Sequence, residues 1–169
     1  ESFLLIWMVC LWIFFWFKDM VCNIAKHIGK GMVGEASIVN FYPDSKCSMG
    51  GHVDDAEIDM TKPIISCSFG NTVGNFLHSF DDWYFIVFLI GSTTRADQPI
   101  AVYIRSGDVV ILSDHARYCY HGVPRMLDNT CPEELLEPTS DEDWKFCQSY
   151  IKKARINLNC RQVFPTQEE

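Results

Sequence analysis

No CxxC pair occurs in this chain, no internal repeat or low-complexity tract is present, and basic residues are scarce. Each absence excludes something. Eight cysteines without a CxxC pair do not make a structural zinc knuckle. Their spacing also lacks the density of a small secreted disulfide scaffold, so reduced thiols in an intracellular compartment are expected. Fourteen Lys and Arg against 22 Asp and Glu give a net charge of −8. The surface as a whole therefore does not attract polyanions, and a nucleic-acid partner would need a local basic patch. No helical pattern alternates with the strand-like segments, which argues against a doubly wound parallel sheet. A membrane span needs ~20 apolar residues, and the greasy run Phe3 to Phe17 ends short of that at Lys18-Asp19. The run also lacks the basic start and small-residue cleavage site of a signal peptide. No stable membrane partner is expected unless that N-terminal apolar run belongs to the native protein.

What is present reads as one folded domain. The chain has 169 residues, 48% of them hydrophobic and 14% aromatic, enough for a single core. We expect an apolar N-terminal segment and short helix over 1–33 and the main domain over 34–169, interrupted by an atypical apolar insertion at 74–88. The run Phe3–Phe17 and the insertion are both apolar and aromatic; the run reads as a short anchor, a buried or interfacial segment, or sequence that does not belong to the native product. Helical spacing of Met20, Ile24 and Ile28 predicts the short helix over Asp19–Ile28, ended by Gly29, Gly31 and Gly34. From there the pattern is mostly strands and turns. Ser37–Tyr42, Ile64–Phe69, Ile100–Ile104, Val109–Leu112, Arg117–His121 and Arg155–Val163 all read as strands, which predicts a β-sandwich or barrel. The acidic stretch Asn129 to Asp143 reads as a solvated loop, followed by a helical turn over Trp144–Tyr150.

His52-Val53-Asp54, answered downstream by His121, is the pattern with chemical content. Residues i and i+2 of a strand share a face, so His52 and Asp54 can point together, with Gly50-Gly51 allowing close backbone approach just before them. Two histidines and one carboxylate can hold three positions of a metal and leave others open, the facial arrangement of non-haem Fe(II). The competing reading makes His52 a surface loop residue and His121 a hydrogen-bonded core residue. His115 is a rival ligand, though its Ser113–Arg117 setting reads as an exposed turn. Asp55, Glu57 and Asp59 form either a base-reading edge or a solvated acidic turn.

Arg155, Asn157, Asn159 and Arg161 alternate with Ile156, Leu158 and Cys160, giving a strand with one polar and one apolar face. A guanidinium pairs bidentately with carboxylates, so this row offers a cationic clamp for a dicarboxylate held at a metal. Alternatively it faces solvent and pairs with the acidic loop. Asn40 and Tyr42, on one face of the first strand, could add donors to the same ligand.

Val39–Tyr42, Gly51–Asp54, Lys62–Gly70, Ser106–Val110, Tyr120–Arg125 and Arg155–Val163, in that order, resemble the AlkB family of Fe(II)/2-oxoglutarate dioxygenases. The HVD followed by Glu57 and Asp59, together with HGVPR and the acidic segment before RINLNCRQV, is most similar to the eukaryotic AlkB homologue 1 branch. The resemblance implies a β-rich (α+β) chain, a double-stranded β-helix of jelly-roll type with a short N-terminal helix. It implies Fe(II) on His52, Asp54 and His121, with 2-oxoglutarate and O2 as cosubstrates. Arg155 would meet the distal carboxylate, and Asn40, Tyr42, Asn157 and Arg161 would complete the pocket. The implied reaction is oxidative demethylation of N-methylated bases in tRNA or DNA, releasing formaldehyde, succinate and CO2. A monomer in nucleus, cytoplasm or mitochondrion is expected. Two alternatives are an AlkB-like scaffold with impaired catalysis and a membrane-associated dioxygenase with a non-nucleic-acid substrate. Ala56 stands where bacterial AlkB has a base-reading acid, so base preference does not carry over.

Overall fold

The structure, a computed structural model, describes residues 2–72 and 88–166, with the side chains of the first helix described from Phe15 onward. Among the described residues, eight strands form two antiparallel four-stranded sheets. They are β1 (Ala36–Tyr42), β2 (Met49–His52), β3 (Ile64–Gly70), β4 (Phe88–Ile90), β5 (Ile100–Val102), β6 (Val109–Leu112), β7 (His121–Val123) and β8 (Arg155–Arg161). The major sheet runs β1-β8-β3-β6 and the minor sheet β2-β7-β4-β5. The first strand thus pairs with the last, the second with the seventh, the third with the sixth and the fourth with the fifth. That nesting is one long antiparallel ribbon rolled over on itself, the double-stranded β-helix or jelly roll.

The N-terminal helix is longer than its expected Asp19–Ile28 span. Helix α1 runs Ser2–His27 and takes in the apolar run. Phe17, Val21 and Ala25, four residues apart, lie on one face and are buried against Ile65 and Cys67 of β3 and Cys160 of β8. The helix stops in a paired C-cap. Lys30 N donates to Ala25 O and Gly29 N to Lys26 O, and Gly29 takes the left-handed φ of +71° that this geometry requires. Among the described residues no helix is long and apolar enough to cross a membrane.

Three other expectations change. Arg117–His121 is not a strand: a 3-10 helix spans Asp114–Tyr118, and β7 begins at His121. The helical turn near Trp144 is a ten-residue helix α2, Glu142–Ile151, capped by Asp141, whose side chain accepts from Trp144 N. The acidic stretch before it contains a second 3-10 turn, Glu133–Leu136. The apolar segment 74–88 lies outside the described residues except for Phe88, which opens β4 and is buried in the inter-sheet core. The seven cysteines whose side chains are described are free thiols. Burial pushes Cys67 and Cys160 up to about 11, so both are protonated core groups.

Gly70 ends β3 with φ +88°, and a Cβ there would lie 2.5 Å from the Ala154 carbonyl oxygen and 2.7 Å from Ile151 Cδ1. Gly70→Ala should cost about 1–3 kcal/mol of stability through backbone strain and overpacking, read as a lowered urea midpoint with an unchanged m-value.

Candidate metal centre and cosubstrate cavity

His52 and His121 are cross-strand partners on β2 and β7. Their meeting depends on a bulge. Met49 pairs with Val123 and His52 with His121, so two residues of β2, Gly50 and Gly51, oppose only Gly122 of β7. In an unbulged strand the residue three after Met49 would project from the opposite face; the bulge returns His52 to the face that Met49 occupies. Close backbone approach occurs at Gly122, not at the glycine pair. A Cβ on Gly122 would lie 2.9 Å from Met49 O, whereas one on Gly50 or Gly51 would meet nothing within 4 Å.

Both imidazoles are oriented by the backbone. His52 Nδ1 lies 2.9 Å from Gly50 O and His121 Nδ1 3.2 Å from Cys119 O. With Nδ1–H donated to a carbonyl, Nε2 carries the lone pair. Each Nε2 faces Asp54, at 3.8 Å from Oδ1 for His52 and 3.5 Å from Oδ2 for His121. These separations are long for hydrogen bonds. Donors about 2.1 Å from a shared ion sit about 3.0 Å apart when cis and about 4.2 Å apart when trans, and the observed values fall between. The three ligand atoms all lie within 4.8 Å of one another. Burial pushes the Asp54 carboxyl up, but the His121 contact and the Arg161 and histidine charges outweigh it, lowering it to about 2. The donor set, two imidazole nitrogens and a carboxylate, fits a divalent cation such as Fe(II).

The same three residues border a cavity between the sheets, together with Asn40, Tyr42, Arg155 and Asn157. The polar face of β8 therefore points inward; it neither faces solvent nor meets the acidic loop. Arg155 is 2% exposed, donates from Nε to Ser68 Oγ at 2.9 Å, and lies over the Tyr42 ring at 5.0 Å. Its Nη1 is buried without a partner among the described residues. Burial lowers the Arg155 pKa, with Tyr42 opposing that shift, while burial raises that of Tyr42 against the pull of Arg155. A buried cation with an unpaired donor is costly unless an anion completes it. A carboxylate in this cavity would do so. Asn157 Nδ2 donates to Ser66 Oγ and Cys67 O, and Asn40 Nδ2 lies 3.4 Å from Asn157 Oδ1.

Arg161 is placed differently from its four companions. It is not among the cavity-lining residues; it pairs with Glu57 through Nη1 and lies 3.6 Å from Asp54 Oδ2 through Nη2. Glu57 is neither a base edge nor a solvated turn residue: it is buried between Arg161 and Arg117. Asp55 is exposed, and Asp59 accepts from Thr61. His115 is exposed, outside the site. Neither Glu57 nor Arg117 belonged to the expected site. A buried ion pair leaves no periodic trace in sequence, and its only signal was an acid three residues after the HxD.

Residues 12–161 match the family model described as the 2OG-Fe(II) oxygenase superfamily. The chain belongs to that superfamily. Its members use Fe(II), 2-oxoglutarate and O2, and the His-Asp-His cluster is compatible with iron. Within the superfamily the chain is similar to AlkB homologue 1 proteins. It is 38% identical to the DNA N(6)-methyladenine demethylase ALKBH1A of Arabidopsis thaliana over 156 residues, covering 86% of this chain and 41% of that protein. It is 37% identical to the nucleic acid dioxygenase ALKBH1 of Homo sapiens over 152 residues, covering 79% of this chain and 35% of that protein. The solved structure of OsALKBH1 superposes with a TM-score of 0.57 at 27% identity, over 78% of this chain and 49% of that one. The chain thus spans less than half the length of each of these relatives.

Gly122→Ala should push β2 away from β7 at the bulge and weaken binding of a divalent probe such as Co(II), while Gly51→Ala, whose added carbon meets no neighbour, should leave it intact. Calorimetric titration of the two variants separates the close approach at Gly122 from the open glycine pair.

Proposed function

We propose that this chain is the catalytic domain of a nucleic-acid demethylase of the AlkB homologue 1 type, acting on N-methylated bases in tRNA or DNA. The observation that carries the reading is the pairing, in one cavity, of the His52–Asp54–His121 cluster with the unpartnered guanidinium nitrogen of Arg155. Relatives named for demethylation of N(6)-methyladenine in DNA, or as nucleic acid dioxygenases, support the substrate class. Free thiols support a reducing, intracellular compartment.

In this reading His52 and His121 hold Fe(II) through Nε2 and Asp54 through its carboxylate. Bound there, Fe(II) would couple the oxidation of 2-oxoglutarate by O2, to succinate and CO2, to hydroxylation of the N-methyl carbon. The remaining work falls to the protein. Arg155 receives the distal carboxylate of 2-oxoglutarate on its free donor, and Tyr42, with its phenol kept neutral by burial, can donate beside it. Asn40 and Asn157 flank the same cavity. Apolar walls such as Phe88 and Ile104 limit water. The N–CH2OH carbon–nitrogen bond then breaks, formaldehyde leaves, and the base nitrogen takes up the hydroxyl proton. Arg95, Arg125, Lys145, Lys152 and Lys153 are all exposed. Lys145 is paired with Glu142, and Arg95 donates to Gly51 O and lies over Tyr120.

With Fe(II), 2-oxoglutarate and a methylated RNA or DNA oligonucleotide, succinate and formaldehyde should appear together and in equal amounts. His52→Ala should reduce both to background. Arg155→Met should raise KM for 2-oxoglutarate about 10–100-fold, the loss of one charge-assisted contact. Succinate release that ignores every methylated oligonucleotide would overturn the substrate class.

A further inference from the structure

We propose that Glu57 and Arg117 are positioning residues for the metal, anchoring the Asp54 segment and, through Arg161, orienting the Asp54 carboxylate. The proposal rests on the assignment of His52, Asp54 and His121 as the ligands. Those three residues are not equally supported. His52 and His121 sit on paired strands, held by the ladder between β2 and β7. Asp54 lies beyond the end of β2, in a segment that joins no sheet before β3. Something else must hold it.

Two guanidinium groups do so. Arg117, from the 3-10 helix before β7, donates from Nη1 to the Asp54 backbone oxygen at 3.0 Å and from Nη2 to Glu57 Oε2 at 2.7 Å. Arg161, at the end of β8, pairs with Glu57 Oε1 through Nη1 and faces Asp54 Oδ2 through Nη2. Glu57 is thus the hub of two forks that both end on Asp54, one on its backbone and one on its carboxylate. Arg117 is 1% exposed, Arg161 4% and Glu57 6%, so water does not substitute for any of these contacts.

The charge arithmetic gives Glu57 a specific task. Two buried guanidinium groups face two carboxylates. Remove the Glu57 charge, and both cations compete for Asp54 alone, drawing it away from a metal. With Glu57 in place, Arg161 engages Oδ2 and leaves Oδ1 on the His52 side. Buried ion pairs contribute little net stability, whereas groups that orient a metal ligand commonly control its affinity. The network also commits Arg161, so Arg155 is the guanidinium left to the cosubstrate.

The test uses Co(II) as a probe for the Fe(II) site, in the whole chain, with Glu57→Gln and Arg161→Lys. Gln keeps the volume but not the charge; Lys keeps the charge but cannot reach two carboxylates at once. Both variants should bind Co(II) about 10–100-fold more weakly, with unchanged far-UV circular dichroism. At saturating Co(II), their 2-oxoglutarate affinity should equal that of the parent. Unchanged Co(II) affinity in a folded variant would overturn the proposal. So would a loss confined to 2-oxoglutarate, which would return Arg161 to the cosubstrate. If Glu57→Gln fails to fold, Arg117→Lys, which retains a cation for Glu57 but not the second contact, gives the same decision. His52→Ala is the control: if it binds Co(II) like the parent, the ligand assignment itself fails.

Discussion

Strand β8 has to bury both of its faces, and they have opposite chemistry. It lies inside the major sheet, between β1 and β3. Leu158 and Cys160 meet helix α1 on the outer face. Arg155, Asn157 and Arg161 point into the space between the sheets, each nearly inaccessible to water. Burying such groups is unfavourable unless each is hydrogen-bonded or paired. Asn157 donates to Ser66 and Cys67, and Arg161 pairs with Glu57, its Nε alone lacking a partner among the described residues. Arg155 is satisfied in part, by Ser68. Of the two arginines, Arg155 borders the cavity and has no carboxylate beside it among the described residues, and that incompleteness is where the fold meets its chemistry.

The rest of the site is a problem of aiming side chains. A strand alternates its faces with period two, so an inward histidine three residues after an inward methionine requires an extra residue. The bulge at Gly50-Gly51 supplies it, and Gly122 lets the opposite strand come close. Once aimed, each imidazole is fixed by a carbonyl on its far nitrogen. The aspartate has no strand to fix it and is held by buried ion pairs instead. Different physical means therefore bring the three residues, from two parts of the chain, to within 4.8 Å.

Helix α1 shows the same dependence on context. Its core-facing residues Phe17, Val21 and Ala25 straddle Lys18-Asp19, where a change of composition suggested a boundary. Hydropathy changes there, but helical periodicity does not, and packing against β3 and β8 follows the periodicity.

The sequence by itself determined the strand set of the major sheet, the HxD and distant histidine, and the two-faced pattern of β8, because side-chain alternation and residue type are local properties. It did not determine where the polar face of β8 would point, nor which arginine would be free for a ligand. Arg155 and Arg161 occupy equivalent places in one alternating pattern. Only the tertiary structure separates them, because Glu57 reaches one and, among the described residues, no acid reaches the other. The same holds for Glu57 and Arg117, distant in sequence and unremarkable alone, whose pairing exists only once β8, the 3-10 helix and the Asp54 segment share a dry interior.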